Sequence, residues 1–355
     1  MILITGAGGL IGSAVSKFFL NKKFDVIGVE NNKRRFFFGK NADIKQNIIE
    51  LKKKKKFKFF NEDINNTKAL EKIFKKYKII LTIHAAAQPS HDWSASQPLV
   101  DFKVNALGTL NLLNIIKKFR PNSQFIFLST NKVYGDHVNE LNYIEKKSRY
   151  EIEGKFKDGF NENTPIDNSM HSPFGASKLS ADILCQEFGK YFGIKTCSLR
   201  AGCLTGDNHS SVELHGFLSY LFKCAYHGKE YKIFGYKGKQ VRDNLSAEDV
   251  AEIIWQIFKK KPKPGEVFNI GGGRLSNVSI LEAINKCEQI TKKRFKYKYI
   301  NKARKGDHKF WITDMKKFKS NYKNCKLKLY IDDIIEEMYS YENFKTKKRL
   351  FFRHK

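Results

Sequence analysis

Thr5-Gly6-Ala7-Gly8-Gly9-Leu10-Ile11-Gly12 follows a short apolar run, Ile2 to Ile4, and opens a segment of helical periodicity. Glycines at 6, 9 and 12 let the backbone turn tightly and approach a diphosphate. The unpaired N–H groups and dipole of a helix N-terminus favour negative charge there. A glycine pattern alone is a weak signal; the strand–turn–helix context is what gives it force. Glu30 closes the second apolar run, about 20 residues on, where an acid bonds the adenosine ribose hydroxyls. Together these residues predict a dinucleotide site for NAD rather than NADP, since a carboxylate repels a 2′-phosphate. Arg34 and Arg35 lie close by and read as surface residues.

Two other sets of residues raise the question of a metal. His209, Glu213 and His215 form HxxxExH, which is not a strong zinc spacing and reads as a loop. The six cysteines (185, 197, 203, 224, 287 and 325) contain no CxxC pair. That argues against a zinc site and a disulfide framework, and for a reducing cytoplasm. No metal is expected.

The elements that must hold the cradle are legible as alternation. Ile2 to Ile4, Asp25 to Val29, Phe57 to Phe60, Ile79 to His84 and Phe125 to Ser129 read as buried parallel strands. Helical periodicity marks Ile11 to Phe19, Lys68 to Tyr77 and Val104 to Phe119, the last with a broad apolar face. This alternation predicts an α/β fold with a doubly wound parallel sheet. Residues 1–200 are expected to form the dinucleotide domain, with a return segment near 240–272. Residues 201–240 and 273–343 read as a smaller C-terminal substrate lobe, and 344–355 as a basic, loosely held tail. Residues 137–170, polar and dotted with aromatics such as Tyr143, Tyr150, Phe156 and Phe160, read as a lid or substrate loop because so long a connection is usually functional.

The chain of 355 residues carries a formal charge of +30, which raises the question of nucleic acid. Lysine is spread over the whole sequence, and its densest run, Lys52 to Lys56, reads as a solvated face. Neither a nucleic-acid partner nor a membrane is expected: no uninterrupted apolar run is long enough to span a bilayer, and no signal peptide precedes the first strand. Such a surface would still draw anionic ligands such as diphosphates.

The glycine pattern joins further segments to resemble the extended short-chain dehydrogenase/reductases, the NAD-dependent epimerase/dehydratase family, over most of residues 1 to 315. Asp63-Ile64 is similar to the family's adenine contact, Ala85-Ala86-Ala87-Gln88 to the strand end beside the cofactor diphosphate, and Asn105 to Leu113 to its central helix. Arg242-Asp243 resembles the Arg-Asp step of the sugar lobe. The resemblance implies a Rossmann domain and NAD, contacted by Gly6, Gly9, Leu10, Ile11, Gly12, Glu30, Asp63, Ile64, Ala85, Ala86, Ala87, Asn105 and Lys178. Within the family, Ser129 to Asp136 and His171-Ser172-Pro173 resemble the subgroup of CDP-paratose 2-epimerases. Dehydratases carry Asp-Glu where this chain has Asn131-Lys132.

The implied chemistry is epimerisation of a nucleotide-diphosphate sugar by transient oxidation. In the family a Tyr takes the hydroxyl proton, a Lys four residues beyond lowers its pKa and holds the nicotinamide ribose, and a Ser or Thr bonds the sugar oxygen. Thr130 and Lys178 match the last two, but Phe174 stands at the Tyr place, and a phenyl ring carries no proton. His171, three residues before Phe174, is a candidate substitute base because histidine is the side chain suited to proton transfer near neutral pH. Lys178, Lys132, Tyr134, His91, Cys203, Tyr143 and Tyr150 are weaker ones. The alternatives are a protein that binds cofactor and sugar without turnover, and an enzyme for an already activated keto-sugar. Gln88, Asn131, Lys132, Arg242 and Arg304 are the expected substrate contacts, the arginines for their bidentate grip on diphosphate. A homodimer through the helices holding Asn105 and Lys178 is expected.

Overall fold

The computed structural model describes residues 1–206, 209–213 and 215–353. Seven parallel strands form the central sheet: β1 (Ile2–Thr5), β2 (Val26–Val29), β3 (Phe57–Phe60), β4 (Leu81–His84), β5 (Gln124–Thr130), β6 (Lys195–Ala201) and β7 (Glu266–Ile270). Their order is β7-β6-β5-β4-β1-β2-β3. The chain leaves β1 in one direction and resumes at β4 on its other side. That reversal opens a crevice beyond the carboxyl ends of β1 and β4, where such sheets bind ligands.

Successive side chains of a strand point to opposite faces, so a strand covered on both sides must be apolar throughout. Ile2, Ile4, Ile126 and Leu128 pack on one face beneath the helices Leu10–Asn21 and Ala247–Lys260. Leu3, Phe125 and Phe127 pack on the other beneath Thr67–Lys76, Gly108–Phe119 and Ser172–Phe192. The segment Pro98–Phe119 is long and apolar enough to cross a membrane by length and composition; a little over half of it is buried here against the fold.

The smaller lobe is built around the strand Val241–Ser246, flanked by Asn277–Ser279, Phe310–Trp311 and Cys203–Thr205. Its helices Phe217–His227 and Ile280–Thr291 enclose a separate apolar core with Ile331, Ile334 and Met338. The return to the large sheet therefore comprises the helix Ala247–Lys260 and β7, while residues 241–246 stay in the lobe.

Two expectations change. Residues 137–170 are not a lid. Val138, Ile152 and Phe160 are buried with Tyr134, Phe310 and Trp311, and Phe160 N–H donates to the Ile312 carbonyl at 2.8 Å. Their aromatics supply a core joining the two lobes, and none of them lines the cavity described below. The basic tail continues the helix Ile331–Arg353, and His354 and Lys355 lie outside the described residues.

Candidate active site

A cavity of about 440 Å³ runs from the glycine turn, past the carboxyl ends of β4 and β5, into the smaller lobe. Gly6, Gly9, Leu10, Ile11 and Gly12 line its inner end. Gly6 has φ +67°, and a Cβ there would lie 2.7 Å from Ala86 N; a Cβ on Gly12 would lie 2.0 Å from the Gly6 carbonyl. Only glycine permits this packing of turn on strand. Gly9 begins the helix without a side-chain cap, so the first-turn N–H groups are free to meet an anion.

The Glu30 carboxylate accepts from Asn31 N–H at 2.9 Å, Asn32 N–H at 2.8 Å and Gly8 N–H at 3.2 Å. Burial raises its pKa, partly offset by these three donors. Asp63 accepts from Asn31 Nδ2 at 3.0 Å and pairs with Lys33. Burial pushes Asp63 up, but Lys33 and the Asn65 N–H outweigh it and hold the carboxyl low. Arg34 is not a surface residue. Its guanidinium donates to the Ser210 carbonyl at 2.9 Å, meets His215 Nδ1 at 3.2 Å and lies over the Phe38 ring. His209 and His215 stack edge-on at 5.4 Å, while Asn208 and Leu214 of that loop lie outside the described residues.

At the middle of the cavity stand Thr130, Asn131, Lys132, Phe174 and Lys178. Lys178 Nζ donates to the Leu128 carbonyl at 2.7 Å and sits 4.0 Å from the centre of the Phe127 ring. Burial lowers its pKa to about 8. Thr130 Oγ1 accepts from Lys132 N–H at 3.2 Å at the end of β5. The Phe174 ring packs edge-on against His91 at 5.0 Å, and its N–H donates to Ser94 Oγ at 3.1 Å. His91 Nδ1 lies 2.9 Å from Ser172 Oγ. Burial, with Lys132 nearby, lowers its pKa to about 3.

The outer end carries the cations. Arg242 Nη2 pairs with Asp307 at 2.7 Å, not with its neighbour Asp243, and also donates to the His308 carbonyl. Arg304 stacks on Phe234 at 4.2 Å and donates to the Glu213 carbonyl at 3.1 Å. Burial would raise Asp307, but Arg242 and Lys132 hold it well below the usual carboxylate range.

The arrangement joins an anion cradle, a hydroxyl and a lysine at a strand end, and two arginines in one space. The profile of the NAD dependent epimerase/dehydratase family matches residues 2–271. The chain belongs to the NAD-dependent epimerase/dehydratase family. It is 30% identical over 346 residues to a CDP-paratose 2-epimerase of Salmonella typhi, covering 96% of this chain and 98% of the relative. It is also 30% identical over 319 residues to a UDP-glucuronate 4-epimerase of Thermodesulfobacterium geofontis, covering 89% and 88%. Among solved structures it is similar to the Bacillus cereus UDP-glucuronic acid 4-epimerase in complex with UDP-glucuronic acid and NAD, with a TM-score of 0.79, 27% identity, and 96% and 98% of the two chains covered.

NAD is the cofactor of this epimerase/dehydratase, and the uncapped helix start with Glu30 beside it fits the diphosphate and ribose. Three expected contacts do not line the cavity. The His171 ring is held between backbone carbonyls, Nε2 2.8 Å from Ile166 O and Nδ1 3.4 Å from Lys132 O, so it fixes the start of its helix and is not a substitute base. Gln88 is fully buried; its N–H donates to Asn105 Oδ1 at 2.9 Å and its carbonyl accepts from Asn105 Nδ2 at 3.0 Å. Asn105 also reaches Asp101 and Ser177, so both residues brace the site from behind.

Of the other base candidates, Tyr134 donates to Asn269 Oδ1 at 2.7 Å behind the strand, and burial raises it to about 12. The Tyr143 hydroxyl donates to the Val138 carbonyl at 2.5 Å, and neither Tyr143 nor Tyr150 lines the cavity. Sequence reading passed over Asp307 as a member of the site. Its only signal was its place beside Arg304, Lys305 and Gly306.

Proposed function

We propose that this protein is an NAD-dependent nucleotide-sugar epimerase resembling CDP-paratose 2-epimerase, inverting one sugar carbon. The observation that carries the reading is the continuous cavity linking the dinucleotide cradle to Arg242 and Arg304 past Thr130 and Lys178. NAD, when bound, supplies a reversible hydride acceptor. Thr130 offers its hydroxyl to the sugar oxygen, and Lys178 presents a cation beside the nicotinamide end. Arg242 and Arg304 offer a bidentate grip to the sugar-nucleotide diphosphate. Asn131-Lys132 replaces the acid pair that dehydration uses, which favours epimerisation over loss of water. The six free cysteines fit a reducing cytoplasm. Exposed apolar side chains on the helices flanking Asn105 and Lys178 support a homodimer.

Phe174 favours a second reading, a protein that holds NAD and a nucleotide sugar without turning it over. A substrate that is already a keto-sugar would also need less help from a base. One experiment separates these. Purified protein is incubated with CDP-, GDP-, UDP- and dTDP-hexoses and deoxyhexoses, proton NMR follows any new epimer, and absorbance follows transient NADH. A new epimer is expected. Retained NAD and measurable sugar-nucleotide binding with no epimer would select the binding protein instead.

A further inference from the structure

The epimerase reading leaves a proton without an acceptor, and the cavity wall limits what can take it. We propose that Lys132 Nζ accepts and returns the proton of the sugar hydroxyl, in place of the phenol that Phe174 lacks. The inference rests on the epimerase reading and names its missing catalytic residue.

The geometry sets Lys132 between the two catalytic segments. Its N–H is bound by Thr130 Oγ1 at 3.2 Å, so it follows directly on the hydroxyl that is to meet the sugar oxygen. Its carbonyl lies under the first turn of the helix carrying Phe174 and Lys178. A Cβ on Gly175 would lie 2.9 Å from that carbonyl oxygen, which is a reason for glycine next to Phe174. Its side chain is 13% exposed and lines the same stretch of cavity as Phe174. Nζ donates to the Gly306 carbonyl at 2.9 Å and lies 3.6 Å from Asp307 Oδ1. An ammonium has three N–H bonds. Gly306 and Asp307 thus aim the side chain from the smaller lobe and leave one position of the nitrogen for a substrate hydroxyl.

The surrounding groups explain why this amine can lose its proton. Burial disfavours the ammonium, Asp307 favours it, and Arg242 disfavours it again; Cys203, His91 and His308 are further titratable groups facing it, with the His171 ring against its carbonyl. The outcome is a pKa lowered to about 8. The rivals are poorer. Burial raises Cys203 to about 12, keeping it a thiol, and His91 near 3 holds a proton too weakly. Lys178 shares the lowered pKa, about 8, but its Nζ is held by the Leu128 carbonyl and over the Phe127 ring, the place given to the nicotinamide ribose. Over one cycle the carbon loses a hydride and the hydroxyl a proton, and both are regained, so neither oxidant nor acid is consumed.

The test uses the full chain with its NAD and the nucleotide sugar that turns over. Carbon-13 NMR of lysine-labelled protein should show the Lys132 amine, assigned by the signal lost in Lys132→Met, titrating near pH 8 beside those of Lys178 and Lys223. Wild-type turnover should rise through the same pH. Lys132→Met and Lys132→Arg should each lose about 10²–10⁴-fold in turnover while keeping NAD and sugar-nucleotide affinity. The arginine variant matters because it keeps the cation but does not surrender a proton. Recovery of turnover when Phe174→Tyr is added to Lys132→Met would support a base role specifically. Wild-type turnover in Lys132→Arg, or a Lys132 signal titrating near the ordinary value of about 10.4, would overturn the assignment alone. A wild-type protein that binds sugar and never turns it over would instead overturn the epimerase reading and this one with it.

Discussion

Lys178 and Phe174 sit a turn apart on one helix and show how much a single side chain decides. The Lys178 ammonium is buried, and its hydrogen bond to the Leu128 carbonyl fixes it at the end of β5. Lys178→Met is expected to lower turnover by about 10²-fold or more and to loosen NAD. Cofactor released on denaturing the purified variant measures the second effect, and full NAD content with full activity would remove Lys178 from the site. Phe174→Tyr tests the opposite question. With Lys132 as the acceptor, an added phenol should raise the rate by less than about tenfold. A gain approaching 10²–10⁴ would say that the native site has no competent base.

The elements hold those side chains by polar contacts as much as by apolar burial. The helix Ser172–Phe192 is tied to β6 by Arg200, which donates to Asp182 at 2.9 and 3.2 Å and to the Tyr134 hydroxyl at 3.1 Å. Both members of that ion pair are buried. Breaking such a pair strands the remaining charge, so Arg200→Met should destabilise the protein by about 3–5 kcal/mol, read by urea denaturation. A loss under about 1 kcal/mol would mean that solvent reaches Asp182. From the other side Asn105 binds Gln88, Asp101 and Ser177, bracing the turn before Lys178. Burial raises Asp101 to about 6, despite the Ser177 hydroxyl and the Lys178 charge. A raised acid favours the fold at low pH. Its contribution is full below the unfolded value, about 3.9, and is lost as pH rises through 6.

At the scale of the molecule, the two lobes share one cavity, with the glycine turn at one end and Arg242 and Arg304 at the other. A Rossmann half without the smaller lobe would keep the cradle and lose Arg242, Arg304 and Asp307. The outer surface carries a second message. Leu99, Phe102 and Leu107 are 77%, 50% and 40% exposed on the segment leading into the Asn105 helix, and Ile183 is 43% exposed on the Lys178 helix. A patch of this kind fits an interaction surface and supports the proposed homodimer. Sedimentation velocity should show a dimer, and Leu99→Glu with Phe102→Glu should yield a monomer. A monomeric wild type would discard this interface.

The cradle and NAD were readable from residues 1 to 30, and the strand positions from residues 1 to 130, because each depends on neighbours a few positions away: alternation along a strand, glycine at a turn, an acid at the next strand end. β3 falls on the residues expected, and β2, β4 and β5 within two residues of theirs. The membership of the cavity wall was not readable in the same way. Lys132 and Asp307 meet only because the smaller lobe folds back over β5, and His91 reaches Phe174 only through the packing of two helices. The same tertiary packing turned His171 onto backbone carbonyls, buried Gln88 and Asn105 behind the site, and drew residues 137–170 into a core. Local periodicity sets which face a residue occupies; which neighbour that face meets is set by contacts between residues far apart in the chain, and those decided where the chemistry can occur.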